Sequence, residues 1–234
     1  RDIALIVKME DLNSYKALFG DGSHLGININ YIIQEEPRGL AEAFILGEDH
    51  IGKENVTLIL GDNIFYGKIS QDNDFLPSIY CFQVNEPERY GVIEMKNEEP
   101  YKIIEKPTNY VSDWAVTGLY SYGPEVVEIA KSLSPSKRGE LEITDINNIY
   151  LKNKNLKVNF LPKRNVWLDT GTFESLLDAN NFVASIQRRL NTLIGSPEMI
   201  ALEKGWINFD DINRKHSTNN DYYKSLLARS SLSK

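Results

Sequence analysis

Apolar and polar positions along the chain alternate between two rhythms. Short runs rich in β-branched and aromatic residues, at 2–7, 27–33, 56–60, 79–84, 91–95, 101–104, 114–122 and 156–161, read as strands. Between some of them the spacing changes to the helical period. In "GLAEAFILGEDHI" Leu40, Ala43, Phe44 and Gly47 share one face, and in "GPEVVEIAKSL" Val126, Val127, Ala130 and Leu133 do the same. Strands and helices taking turns in this way predict a layered α/β domain whose helices cover a sheet.

The last third has a different texture. In "TFESLLDANNFVASIQRRL" the residues Leu176, Ala179, Phe182, Val183, Ile186 and Leu190 recur at near-heptad spacing, which predicts a long amphipathic helix. "SPEMIALEKGWI" then offers Ser196 as an N-cap and Pro197 in the first turn. We therefore expect a core over 1–190 and a helical appendage over 191–234, its apolar residues packed on the core or used between subunits. The first residues, "RDIALIV", begin inside what reads as a strand, so preceding chain is expected.

Composition narrows the options. With 234 residues, 41% hydrophobic and 25% charged, the chain can bury one substantial core. A net charge of -7 and a pI near 5.1 argue against a nucleic-acid or anionic-membrane partner, so an anionic ligand would need a local pocket. No long apolar run or basic-then-apolar leader occurs, and a cytoplasmic location is expected. The single cysteine, Cys81, lies in the apolar stretch "SIYCFQV" and reads as a buried thiol. His24, His50 and His216 have no metal-ligand spacing, and neither G-x-x-x-x-G-K-[ST] nor G-x-G-x-x-G is present.

The chemistry begins at "LGDNIFYG", where Asp62 follows a short apolar run. Open α/β sheets place ligands beyond the carboxyl ends of parallel strands, yet on position alone an Asx-type turn explains Asp62 better. Asp169 in "VWLDTGTFESL" repeats the arrangement, with Asp169 or Thr172 also able to cap the helix that follows. Two such aspartates suit a hard cation such as Mg²⁺, which takes one or two carboxylates and leaves its other positions to phosphate and water. In "IIEKP", Lys106 could neutralise a phosphate and Glu105 could accept from sugar hydroxyls, although a solvated pair is the simpler reading. Arg138 in "SPSKRGELEITD" could clamp a phosphate or merely pair with Glu140 or Glu142.

Taken in order, "QEEPRGLAEAF", "LGDNIFYG", "VNEPERYGVIE", "IIEKP", "AVTGLYSY", "RGELEITDIN" and "WLDTGTFESLL" resemble the sugar nucleotidyltransferases, most of all their glucose-1-phosphate thymidylyltransferase branch. The resemblance extends from Arg1 to about Ile212. It implies a Rossmann-like mixed sheet flanked by helices. It also implies thymidylyl transfer from dTTP to α-D-glucose 1-phosphate, giving dTDP-glucose and pyrophosphate, with Mg²⁺ as cofactor and commonly a homotetramer. By the same resemblance Gln34 and Gly39 read the thymine base, and Asp62 and Asp169 ligate Mg²⁺. Tyr90, Gly91, Glu105, Val116 and Gly118 hold glucose, while Lys106 and Arg138 grip the sugar phosphate. Tyr66 and Gly67 correspond to a region that in this family often forms a feedback site.

Two departures stand out. The family's glycine-rich G-G-x-G-T-R loop and the lysine after it do not occur in this sequence, so a longer parent enzyme is expected and this stretch alone should be inactive. "KISQDNDFLP" is short and polar where the family has a longer helix. A UTP-dependent or other-sugar nucleotidyltransferase, or a non-catalytic sugar-nucleotide-binding homologue, are the competing readings.

Overall fold

The structure is a computed structural model, and it describes residues 1–69, 77–215 and 221–230. By its contacts the chain forms two compact units, Arg1–Glu35 with Leu177–Lys234, and Glu36–Leu176. That division follows packing; the boundary near residue 190 read from the hydrophobic spacing coincides instead with the end of a helix.

In the first unit, β1 (Asp2–Val7) pairs in parallel with β2 (Asn28–Ile33), joined through α1 (Leu12–Phe19) and a 3-10 turn at Ser23–Leu25. Val7, Leu25 and Ile29 are buried hydrophobic residues here. The C-terminal helices α7 (Pro197–Glu203), α8 (Phe209–Lys215) and α9 (Asp221–Ser230) close on Met199, Ile212 and Leu226. Ser196 caps α7 as its sequence predicts, its hydroxyl accepting from the Met199 N–H at 3.2 Å.

The second unit contains a mixed six-stranded sheet in the order β7 (Glu99–Glu105), β6 (Gly91–Lys96), β8 (Trp114–Tyr122), β5 (Ser78–Gln83), β9 (Lys157–Phe160), with β3 (Val56–Ile59) also against β8. Strand β8 is buried from Ala115 onward, as expected of a run whose residues are apolar or small at every position. Helices α2 (Glu42–Leu46), α3 (Glu48–Ile51), α4 (Val126–Ser132) and α5 (Ile143–Lys152) contribute to this unit's core. Phe44 meets Tyr122 edge-on at 5.4 Å, and Tyr122 stacks on Tyr150 at 5.4 Å. Each such ring, fully buried, stabilises the fold by about 1.5–3 kcal/mol. Cys81 is fully buried in this core, and burial pushes its thiol far above the ordinary range, in keeping with an inert role.

Two expectations need correction, and one element went unread. The helix read over 39–51 is two helices separated at Gly47, which terminates α2 through its N–H to Ala43 and opens α3 through its carbonyl to Ile51. A glycine inside a helix costs about 1 kcal/mol relative to alanine, so the break falls there. Strand β3 runs antiparallel to β8, and its Ile59 is 57% exposed, so Asp62 does not follow a strand that is parallel and buried on both faces. A further two-stranded ladder, β4 (Asn63–Tyr66) with β10 (Val166–Asp169), was not legible, because four-residue strands are too short to show a period. Residues 70–76 of the polar stretch, like His216, lie outside the described residues.

Candidate active site

The β4–β10 ladder builds the first half of the site. It is antiparallel and sets Asn63 opposite Asp169, which brings the turn carrying Asp62 beside the end of β10. Thr170 fastens the junction, its N–H and hydroxyl both donating to the Asp62 carbonyl at 2.9 Å. Both carboxylates then face the same small space: a Cβ on Gly171 would lie 3.1 Å from Asp169 Oδ1 and 3.6 Å from Asp62 Oδ2.

Asn63 ties this corner to the main sheet. Its Nδ2 donates to Asp62 Oδ1 at 2.7 Å, while its Oδ1 accepts from the Gly118 N–H at 2.9 Å and from Trp167 Nε1 at 2.6 Å. The amide sits so close to β8 that a Cβ on Gly118 would lie 2.5 Å from Asn63 Oδ1. Glycine at 118 is therefore required by the approach of Asn63.

Asp169 is more heavily engaged. Its Oδ1 accepts from the Gly171 N–H at 3.1 Å, which is the Asx turn, and its Oδ2 accepts from Arg89 Nη2 at 3.0 Å and the Tyr90 hydroxyl at 3.1 Å. The cap of α6 (Phe173–Leu190) is Thr172, whose hydroxyl accepts from the Ser175 N–H at 3.1 Å. Arg89 also pairs with Glu86 at 3.4 Å. Burial and the Asp169 charge, against the opposing charge of Arg89, push the Tyr90 phenol up to about 12, so it stays a neutral donor.

The second half of the site is a side-chain network at the end of β7 and the start of α5. The Thr144 hydroxyl donates to Glu105 Oε2 at 2.6 Å. Arg138 Nη2 bonds both oxygens of Glu142, at 3.0 and 2.8 Å, and lies 3.3 Å from Glu140 and 3.7 Å from Glu105. Burial alone would raise the Glu142 carboxyl, but hydrogen bonds from Arg138 and Ser136 outweigh it and hold it below the ordinary carboxylate range. Of the two roles open to Arg138, the structure shows the carboxylate pairing. Lys106 adopts a left-handed backbone, φ 42°, and its N–H donates to the Tyr90 carbonyl at 2.9 Å, which ties the two halves together.

Between the halves lies a cavity of about 330 Å³, in the size range of small-molecule sites. Asp62, Tyr90, Gly91, Glu105, Lys106, Val116, Gly118, Arg138 and Asp169 all line it. Among the described residues no group of three or more His, Cys, Asp or Glu side chains is arranged to hold a metal, but the Asp62–Asp169 pair has the hard oxygen donors that Mg²⁺ takes when phosphate and water complete its shell.

Residues 1–186 match the model of the family described as nucleotidyl transferase. The chain belongs to the nucleotidyl transferase family. It is 46% identical to the glucose-1-phosphate thymidylyltransferase of Neisseria meningitidis serogroup A, over 97% of this chain and 82% of that protein. It is 43% identical to that of Mycobacterium tuberculosis, over 91% of this chain and 76% of the other. A crystal structure from Bacillus anthracis, assigned to the same enzymes and complexed with sucrose, superposes with a TM-score of 0.69 at 37% identity, covering 77% of this chain and 75% of that one.

In this nucleotidyl transferase four residues expected at sites do not line the cavity. Gln34 follows β2 in the other compact unit, its N–H donating to the Val7 carbonyl at 3.0 Å. Gly39, at φ 103°, packs so tightly on Leu141 that a side chain would overlap the Leu141 carbonyl, and the Leu141 N–H donates to Arg38 at 2.7 Å. Tyr66 ends β4, and a Cβ added at Gly67, φ 115°, would lie 3.2 Å from Asn165. Conversely, sequence reasoning missed Asn63, Arg89, Thr144 and Trp167, while Glu142 is one of the two carboxylate partners predicted for Arg138. Asn63 and Arg89 each adjoin a predicted residue, but nothing local signals the distant partners they take.

Proposed function

We infer that the protein transfers a thymidylyl group from dTTP to α-D-glucose 1-phosphate, releasing pyrophosphate and forming dTDP-glucose. The observation that carries this reading is one cavity with a carboxylate pair at one end and a Glu–Lys–Arg set at the other, in a chain over 40% identical to proteins of that name. Asp62 and Asp169 would hold Mg²⁺, which supplies charge neutralisation to the phosphates when bound.

The chain's own residues do the rest by positioning and charge. Lys106 offers a compact positive charge to the sugar phosphate, and Arg138, fixed by Glu142, presents its remaining donors to the same group. Glu105 accepts from sugar hydroxyls beside Gly91, Val116 and Gly118. Gly39, by the family resemblance, would contribute to the contacts with thymine. A sugar-phosphate oxygen so held forms its bond to the α-phosphorus as the bond to pyrophosphate breaks.

Three further assignments follow from family membership. A tetramer would use apolar residues that α6 leaves exposed, among them Phe173 at 95% and Leu190 at 57%. Tyr66 and Gly67 would belong to a feedback site. A cytoplasmic location is carried over from the resemblance; among the described residues no helix is long and apolar enough to cross a membrane.

Pyrophosphate release from glucose 1-phosphate with dTTP, UTP, CTP, ATP and GTP, measured on the intact protein, tests the reading. We expect dTTP to be preferred; a preference above about tenfold for a purine nucleotide would reject it. Preference for UTP would move the protein to a neighbouring specificity, and release with no pair would leave a sugar-nucleotide-binding protein.

A further inference from the structure

We propose that Thr144 is a positioning residue for Glu105: it holds one carboxylate oxygen so that the other is offered to a sugar hydroxyl, and the pair thereby governs affinity for the sugar 1-phosphate. This rests on the functional reading above and extends it to a residue outside the expected site.

The geometry starts one helical turn away. Strand β7 is the last strand of its sheet, and the outward N–H and C=O of Ile103 are both taken by the amide of Asn148, each at 2.9 Å. That double bond fixes α5 in register against β7. Thr144, four residues before Asn148, lies on the same helical face and meets Glu105, two residues beyond Ile103 on the same side of the strand edge.

The resulting hydrogen bond is short, 2.6 Å, and its donor is only 6% exposed. A hydroxyl bound to a carboxylate makes a charge-assisted bond, the strong kind. Gly91 stands opposite Glu105 in the β6–β7 register, and a Cβ there would lie 3.2 Å from both Glu105 Oε2 and Thr144 Oγ1, so any side chain at 91 would press on the pair. Glu105 Oε1 is 3.7 Å from Arg138 Nη2, too far for a hydrogen bond, and keeps its acceptor capacity on the cavity side. Without Thr144 the carboxylate can turn and close on Arg138, removing an acceptor for the sugar and a donor for its phosphate together.

The test compares the wild type with Thr144→Val and Thr144→Ser, with Thr144→Ala standing in if the valine variant does not fold. Calorimetric titration with glucose 1-phosphate and steady-state kinetics are both read. We expect Thr144→Val to weaken glucose 1-phosphate binding and raise its KM by about tenfold, with KM for dTTP unchanged, and Thr144→Ser to restore most of the loss. Unchanged affinity in the valine or alanine variant, an equal loss for dTTP, or failure of serine to rescue would overturn the proposal. If the wild type binds glucose 1-phosphate but releases no pyrophosphate, the enzymatic reading fails while the binding comparison still decides Thr144. If it binds no sugar phosphate, both fall.

Discussion

The two ends of the cavity are built differently. At the Asp62 end the positions are set largely by backbone: an antiparallel ladder places Asn63 opposite Asp169, and Thr170 bonds the Asp62 carbonyl. At the Glu105 end they are set by side chains holding side chains, through Thr144 on Glu105 and Arg138 on Glu142. Strand register is hard to shift, because moving it by one residue turns every side chain to the other face. A side-chain network can lose one member and relax. Substitutions at the first end should therefore alter the chemistry with affinity intact, and those at the second should alter affinity first.

The largest expected effect breaks that contrast at its strong end. Asp62→Asn or Asp169→Asn should lower turnover by orders of magnitude with the thermal unfolding midpoint nearly unchanged, since a neutral amide binds Mg²⁺ poorly while the ladder persists. Near-normal pyrophosphate release in both variants would remove the metal pair from the mechanism. Next, Gly118→Ala drives a methyl to within 2.5 Å of Asn63 Oδ1 and 2.7 Å of Leu60 Cγ. It should destabilise the protein by about 1–3 kcal/mol through overpacking and lower activity as Asn63 is displaced; a melt superimposable on the wild type would show that the corner can yield.

At the weaker end, Glu142→Gln should raise the KM for glucose 1-phosphate several-fold with little change in kcat, because Glu140 and Glu105 still flank Arg138. This pair also carries a pH signature. The Glu142 carboxyl sits below its ordinary value when folded, despite burial, because of Arg138 and Ser136. Its stabilisation is therefore complete above the ordinary carboxylate value and is lost as pH falls through the lowered folded value. Melting curves of wild type and Glu142→Gln should accordingly differ near neutrality and converge in acid; a gap that widens in acid would contradict the assignment. The smallest effect lies away from both ends: iodoacetamide should leave folded Cys81 unlabelled by mass and activity unaltered, with labelling only after denaturation.

How much of this was legible differs with the range of the interaction. The long strands, α4 and the Ser196 cap depend on neighbours a few residues away, so periodicity and capping signals in the chain determine them. The family's motifs, being short stretches, could likewise be read in order, and nine of their residues do line one cavity. What no local pattern encodes is partnership across the chain. Trp167 reaches Asn63 over 104 residues and Thr170 reaches Asp62 over 108. Arg138 had several carboxylates within reach, and it bonds Glu142 at 2.8 Å while Glu105 on β7 stays at 3.7 Å, a distance that no local pattern gives. The sequence by itself determined which side chains are present and which elements carry them. Only the tertiary structure decided which carboxylates face one another and which are already engaged, because strand register and helix packing are minimised over the whole unit rather than along any one segment.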